Sequence, residues 1–256
     1  MQLGIELFGA ALLASICGSM VGLGGGFILV PLLRLVFGLA PAEAAGTSLA
    51  LVVANSGSGA LTYLLQKRVN IRLGLLIAAG GLPGSILGAI AVQYISATAY
   101  DWIFAIFLIC VAVDMVVNAN KRAQNRIAED RASRAKSMSY RVAIFGGFGV
   151  GFISSMFGIG GGVIAVPMLL YFSSLPAHSI SATSHFAIFL TSPVGLAVHV
   201  SQHDIRLADV IPLVIGGLIG GPIGARLSLR LKSRQLLIIV AIALLIAAIS
   251  LLAKHL

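Results

Sequence analysis

Polar residues interrupt this chain only at intervals. Between them lie ten apolar stretches: 3–21, 26–39, 44–65, 73–95 and 98–118, then 141–157, 162–174, 178–200, 207–228 and 234–253. Most are close to 20 residues long and apolar on every face. About 20 apolar residues in a helix span the ~30 Å hydrocarbon core of a bilayer, whereas a helix on a soluble protein keeps a polar face. Barrel strands alternate apolar and polar positions in segments of about ten residues, and that alternation is missing. The pattern predicts an all-α polytopic membrane protein.

Only glycines part 3–21 from 26–39. A single helix from Leu3 to Leu39 would be about 55 Å long at a rise of 1.5 Å per residue, far more than the ~30 Å core. The chain must therefore break at the glycines. The stretch after each break is short enough to be a half-span or a re-entrant arm as well as a full crossing.

The two halves resemble each other. Val21-Gly-Leu-Gly-Gly-Gly-Phe-Ile-Leu-Val-Pro31 matches Phe157-Gly-Ile-Gly-Gly-Gly-Val-Ile-Ala-Val-Pro167 at an offset of 136 residues. At the same offset Thr47 and Ser48 fall on Thr183 and Ser184, Gly59 on Gly195, and Gln66 on Gln202. The chain reads as a first transmembrane repeat (1–118), a basic linker (119–139) and a second transmembrane repeat (140–256).

Charge sets the expected topology. Composition is 59% hydrophobic and 10% charged, with a net charge of +9. Of 17 Lys and Arg residues, 14 lie at 66–72, 118–141 and 226–234, and cytoplasmic loops are the ones enriched in basic residues. All three loops share a side if the chain makes ten crossings or their topological equivalent. Five segments per half then give two inverted repeats, a cytoplasmic linker and periplasmic termini, as in many secondary transporters. The positive charge is thus explained by topology, and nucleic acid is not an expected partner. Cys17 and Cys110 sit in apolar runs and read as packing residues.

The glycine breaks are the leading site candidates. Gly24, Gly25 and Gly26 precede one short helix, and Gly160, Gly161 and Gly162 precede the other. The unpaired N–H groups and positive dipole end of a helix N-terminus suit an anion, and glycine allows close approach to the backbone. The competing reading is tight helix packing through small residues. No Lys-Ser/Thr follows to complete a nucleotide-binding loop. The segments downstream add Thr47, Ser48 and Asn55 in the first half, and Thr183, Ser184, His185 and Thr191 in the second. Their hydroxyls and amides can bind an oxyanion or join helices. His185 stands where the first half has Leu49, and reads equally as a proton carrier or ligand donor and as a satisfied core histidine. His199 and His203 are placed at an interface, Asp114 and Asp209 at water-facing span ends, and Glu43 at a helix cap. No catalytic motif or paired carboxylate is evident, so the chain reads as a non-enzyme without a cofactor or resident metal.

Gly22-Leu-Gly-Gly-Gly26 and Gly158-Ile-Gly-Gly-Gly162, each followed five residues later by proline, together with Gly46-Thr-Ser48 and Ala182-Thr-Ser184, resemble the TauE/SafE family of sulfite exporters. The resemblance implies a secondary carrier of sulfite, sulfoacetate or other organosulfonates in the bacterial inner membrane, with a proton or sodium ion as coupling partner. It places the family's glycine motifs on Gly24–Gly26 and Gly160–Gly162. A small-anion channel, a divalent-metal carrier and a non-transporting membrane subunit remain the rival readings. A homodimer is a further possibility, because Gly80, Gly84, Gly88 and Gly216, Gly220, Gly224 form small-residue faces that serve packing within or between protomers.

Overall fold

A computed structural model describes residues 2–128, 138–228 and 233–253. The elements are α1 (Gln2–Val21), α2 (Gly26–Leu35), α3 (Pro41–Leu65), α4 (Ile71–Ala91), α5 (Ala97–Ala128), α6 (Tyr140–Phe157), α7 (Gly162–Phe172), α8 (Ala177–Ser201), α9 (Leu207–Leu227) and α10 (Ser233–Ala253). A single 3₁₀ turn, Val92–Tyr94, joins α4 to α5. The described residues contain no strand. Among the described residues, seven helices are long and apolar enough to cross a membrane, and each apolar stretch of the sequence has become one helix. The exception in extent is α5, which runs on to Ala128 into the basic linker; residues 129–137 lie outside the described residues.

Backbone conformation makes the two breaks. Gly22, Gly24 and Gly25 have φ of 87°, 91° and 84°, and Gly158, Gly160 and Gly161 have 69°, 87° and 61°. A residue with a Cβ pays about 1–2 kcal/mol in this left-handed region, so the glycines let the chain turn where no other sequence would. It turns back on itself. A Cβ on Gly161 would lie 2.9 Å from the Val150 carbonyl oxygen, while one on Gly146, near the start of α6, would strike Met168, near the end of α7. Thus α7 returns along α6. In the first half, Gly25 abuts Ala14 in the same way, its Cβ position 2.9 Å from that carbonyl oxygen. Both short helices therefore fold back along the helices before them.

The glycine stripes pack within the chain. Cβ atoms on Gly80, Gly84 and Gly88 of α4 would strike the carbonyl oxygens of Ile144, Phe148 and Phe152 on α6. Those on Gly216, Gly220 and Gly224 of α9 would lie 2.6, 2.6 and 2.7 Å from the side chains of Ala11, Ser15 and Ser19 on α1. Both rows advance by four residues on each partner, so α4 runs parallel to α6 and α9 parallel to α1. Without a hydrophobic driving force between helices in lipid, such close backbone contact is a main source of association. Each repeat thus lays its glycine-rich helix on the first helix of the other. Between them α3 and α8 cross antiparallel, with Gly57 against Phe189 and Gly59 against His185.

Several ionisable residues sit deeper than their sequence positions suggest. Asp209, placed by the sequence at a water-facing end, is buried, because the first turn of α9 is covered and Arg206 folds over it at 3.5 Å. Asp114 is half-buried and accepts a hydrogen bond from the Tyr171 hydroxyl at 3.3 Å. His199 is fully buried rather than interfacial, since α8 is sheathed by its neighbours up to its last turn. Arg34 on α2 and Asp101 on α5 form a buried bidentate pair, with Nε to Oδ1 at 2.9 Å and Nη2 to Oδ2 at 2.5 Å. Glu43 does cap α3, accepting the Ala40 N–H at 3.2 Å. Cys17 and Cys110 are free thiols.

Candidate functional site

The two breaks meet each other. A Cβ on Gly24 would stand 3.4 Å from the Gly160 Cα; one on Gly26 would strike the Gly158 carbonyl, and one on Gly162 the Gly22 carbonyl. The contact is backbone to backbone, which only glycine permits. Hydroxyls from the crossing helices lock it. Ser48 of α3 donates to the Gly158 carbonyl at 2.8 Å, and Ser184 of α8 donates to the Gly22 carbonyl at 2.9 Å. Each repeat thereby holds the break of the other, and the two bonds interchange when 136 is added to the first-half residue number and subtracted from the second-half one.

Thr47 and Thr183 form a second exchanged pair, away from the breaks. Thr47 Oγ1 accepts the Arg206 N–H and Thr183 Oγ1 accepts the Asn70 N–H, both at 3.0 Å. These bonds fasten the loops that lead into α9 and α4. Asn70 also caps α4 by accepting the Leu73 N–H at 3.1 Å.

The surroundings of the two breaks differ. At the first, Asn55 Nδ2 donates to the Gly24 carbonyl at 2.9 Å, and Asn55 Oδ1 accepts from Ser19 Oγ at 2.7 Å. Ser19 Oγ also lies 3.1 Å from His185 Nε2. The Tyr63 hydroxyl donates to the Ser19 carbonyl at 2.5 Å, and its ring meets the His185 ring edge-on at 5.7 Å. At the second break the positions of Asn55 and His185 are taken by Thr191 and Leu49. Thr191 bonds only to carbonyls of its own helix, Ala187 and Ile188. His199, which corresponds to Tyr63, bonds through Nε2 to the Ser155 carbonyl at 3.0 Å.

Several buried hydroxyls beside the breaks have no hydrogen-bond partner: Ser15 Oγ near Gly25, Ser154 Oγ near Gly161, and Ser155 Oγ. An unsatisfied buried hydroxyl is costly, at about 1–3 kcal/mol, and these three stand close to the glycine breaks. These serines escape a reading centred on the glycines. The repeat itself carries the signal, since Ser19 and Ser155 each precede a break by three residues at the 136-residue offset.

A cavity of about 150 Å³ adjoins the first break, lined by Leu23 there, by Val163 and Pro167 of α7 and by Cys110, Val111, Asp114 and Met115 of α5. That is room for several waters or one small solute. A larger hollow of about 660 Å³ lies where α4 and α6 begin, beside Asn70, Arg72, Tyr140 and Ser173. There the Arg72 guanidinium bonds to the Tyr140 hydroxyl and lies over its ring. Among the described residues, no three His, Cys, Asp or Glu side chains gather as metal ligands.

Residues 7–251 match the family model described as sulfite exporter TauE/SafE. Among curated proteins, the chain is 31% identical over 251 residues to the probable membrane transporter protein YunE of Bacillus subtilis, covering 92% of each chain. It is 31% identical over 197 residues to a probable membrane transporter protein of Methanocaldococcus jannaschii, covering 75% of this chain and 70% of that one. It is 29% identical over 191 residues to the probable membrane transporter protein YfcA of Escherichia coli K12, covering 74% and 66%.

Proposed function

The chain belongs to the TauE/SafE sulfite exporter family of multi-pass membrane transporters, and from that premise we propose that it is a secondary carrier of small sulfur oxyanions: sulfite, sulfoacetate or other organosulfonates. The carrying observation is the meeting of two helix N-termini at glycine breaks beside buried hydroxyls that have no protein partner. Each N-terminus carries roughly half a positive charge. Two of them, with the Ser15, Ser154 and Ser155 hydroxyls, offer an anion charge and donors without a fixed cation that would hold it too tightly to release. The site is built on Gly24, Gly25, Gly26, Gly160, Gly161 and Gly162, with Asn55, His185 and Thr191 on the flanking helices. Ser48 and Ser184 hold the breaks in register, and Thr47 and Thr183 hold the helices that carry them.

The exchanged bonds support a reading in which the carrier works by alternating access. The halves form an inverted repeat, and the pairs Ser48–Gly158 with Ser184–Gly22 and Thr47–Arg206 with Thr183–Asn70 join them. Rocking one repeat against the other trades contacts at one side for their counterparts at the other. The excess of basic residues at 66–72, 118–141 and 226–234 supports a cytoplasmic linker and periplasmic termini in a bacterial inner membrane. Translocation needs no covalent chemistry, and the chain is accordingly a non-enzyme.

The deciding experiment is thermal stabilisation of the detergent-purified protein by sulfite, thiosulfate, sulfate, sulfoacetate, taurine, chloride and phosphate. A ligand of the folded state raises the melting temperature with concentration. A selective rise with a sulfonate or sulfite is expected, followed by saturable uptake of that anion in proteoliposomes. A response to nickel or zinc alone overturns the anion reading.

A further inference from the structure

The hydrogen bonds around the first break fix the tautomer of the neutral His185 ring. The Gly24 carbonyl can only accept, so the Asn55 atom 2.9 Å from it is Nδ2. Asn55 Oδ1 then faces Ser19 Oγ at 2.7 Å and takes that hydroxyl's single proton. With its proton spent, Ser19 Oγ must accept from His185 Nε2, 3.1 Å away, which therefore carries hydrogen. In the neutral ring this leaves Nδ1 as a bare acceptor. It is fully buried and has no hydrogen-bond partner, in a ring that lies beside the Gly22 carbonyl.

We propose that His185 is the proton-coupling residue of this carrier: its Nδ1 takes up one proton when the anion binds at the glycine breaks and releases it when the anion leaves. The inference rests on the anion reading and adds the coupling ion and the atom that carries it. The proton comes from water on the side from which the anion enters and returns to water on the other side. Nε2 keeps its hydrogen bond to Ser19 throughout. Protonation turns Nδ1 into a donor facing the Gly22 carbonyl and places a positive charge at the first break, where an anion offsets it. Neither the charge nor the anion is stable there alone, and that mutual dependence is coupling.

Other ionisable groups do not take this role. On α3, Tyr63 presents its ring edge, and its hydroxyl is committed to the Ser19 carbonyl. Beyond it Arg68 lies with its guanidinium 5.0 Å from the Tyr63 ring, bonded to Gln66, Ser228 and the His178 carbonyl. On α1 the free Cys17 thiol is half-buried. Around the rest of α8, Arg72 of α4 is bonded to Tyr140 of α6, and Tyr171 of α7 to Asp114 of α5. The second break carries Leu49 where the first has His185, so one proton site is expected per chain.

The test uses the full-length protein with isethionate and methanesulfonate, whose sulfonates stay ionised across the range, and sulfoacetate above pH 6. Affinity is read as concentration-dependent thermal stabilisation between pH 6 and 9. The wild type should lose affinity by about tenfold per pH unit once His185 is neutral in the free protein, since only the protonated fraction binds well. In weak buffer, binding should take up close to one proton per anion, read with a pH dye. His185→Gln keeps a donor for Ser19 and cannot take a proton; it should bind more weakly and without the pH slope. A wild type that binds with no slope and no proton uptake overturns this inference alone, as does a slope that persists in His185→Gln. Should the variant not fold, the wild-type proton count decides by itself. Silence toward every anion of the panel overturns the anion reading and this inference with it.

Discussion

The Ser48 hydroxyl donates to the Gly158 carbonyl at 2.8 Å across 110 residues of chain, joining the third helix of one repeat to the break of the other. The reciprocal bond from Ser184 to Gly22 is 2.9 Å. Both acceptors are carbonyls at a helix break and buried in protein, where a polar backbone group needs a protein partner. The two bonds make the break tolerable, and they make each repeat depend on the other for it.

Ser48→Ala and Ser184→Ala should therefore each destabilise the protein by about 1–3 kcal/mol, the cost of a buried carbonyl left unpaired. Detergent melting curves read this as a lowered melting temperature. Melting unchanged in both variants would mean that water replaces the hydroxyls and that the breaks do not rely on the exchanged bonds.

Gly26→Ala and Gly162→Ala should prevent a monodisperse fold, because each new methyl strikes a backbone carbonyl of the opposite break, which cannot move aside as a side chain can. Gly9→Ala and Gly149→Ala are the comparison, since a Cβ at either position meets nothing within 4 Å. Size-exclusion profiles should separate the two pairs. Equal behaviour would remove the argument that the breaks touch through backbone.

Ser154→Ala and Ser155→Ala should abolish stabilisation by the anion while leaving the unliganded melting temperature unchanged or raised. Their hydroxyls bond to nothing in the protein, so removing them forfeits no internal bond and relieves an unpaired polar group. A drop in unliganded stability, with the anion response intact, would assign these serines to the structure alone.

Breaking the Arg34–Asp101 pair should cost about 3–5 kcal/mol for Arg34→Leu or Asp101→Leu, since each leaves a buried charge uncompensated. The double variant should recover most of that loss. At the 136-residue offset the second repeat has Leu170 and Leu237, so neither charge has a counterpart in the second repeat. A double variant no better than the singles would show that the charges do more than balance each other. Arg34 Nη1, which also donates to the Leu39 carbonyl at 2.5 Å, would be the place to look.

Much of this protein is written locally. Apolar stretches of spanning length, parted by polar turns, give ten helices with ends close to those read from the sequence, because helix formation in lipid depends on segment hydrophobicity and on every backbone group being satisfied within the segment. The glycine breaks are legible for the same reason: a chain of that length cannot continue straight through the bilayer. Relative placement is not local. Whether 26–39 and 162–174 cross or return depends on positive φ angles at glycines that are free to adopt either sign, and only contact with α1 and α6 decided it. The roles of Thr47, Thr183 and Ser48 are equally non-local, since their partners lie 110–159 residues away. Asp209 and His199 looked exposed because a position near a span end says nothing about which neighbour covers it. The sequence by itself determined that this is a duplicated helical membrane protein with two breaks. Tertiary packing alone decided that those breaks meet, because backbone-to-backbone contact through glycine leaves no side-chain signature of its partner.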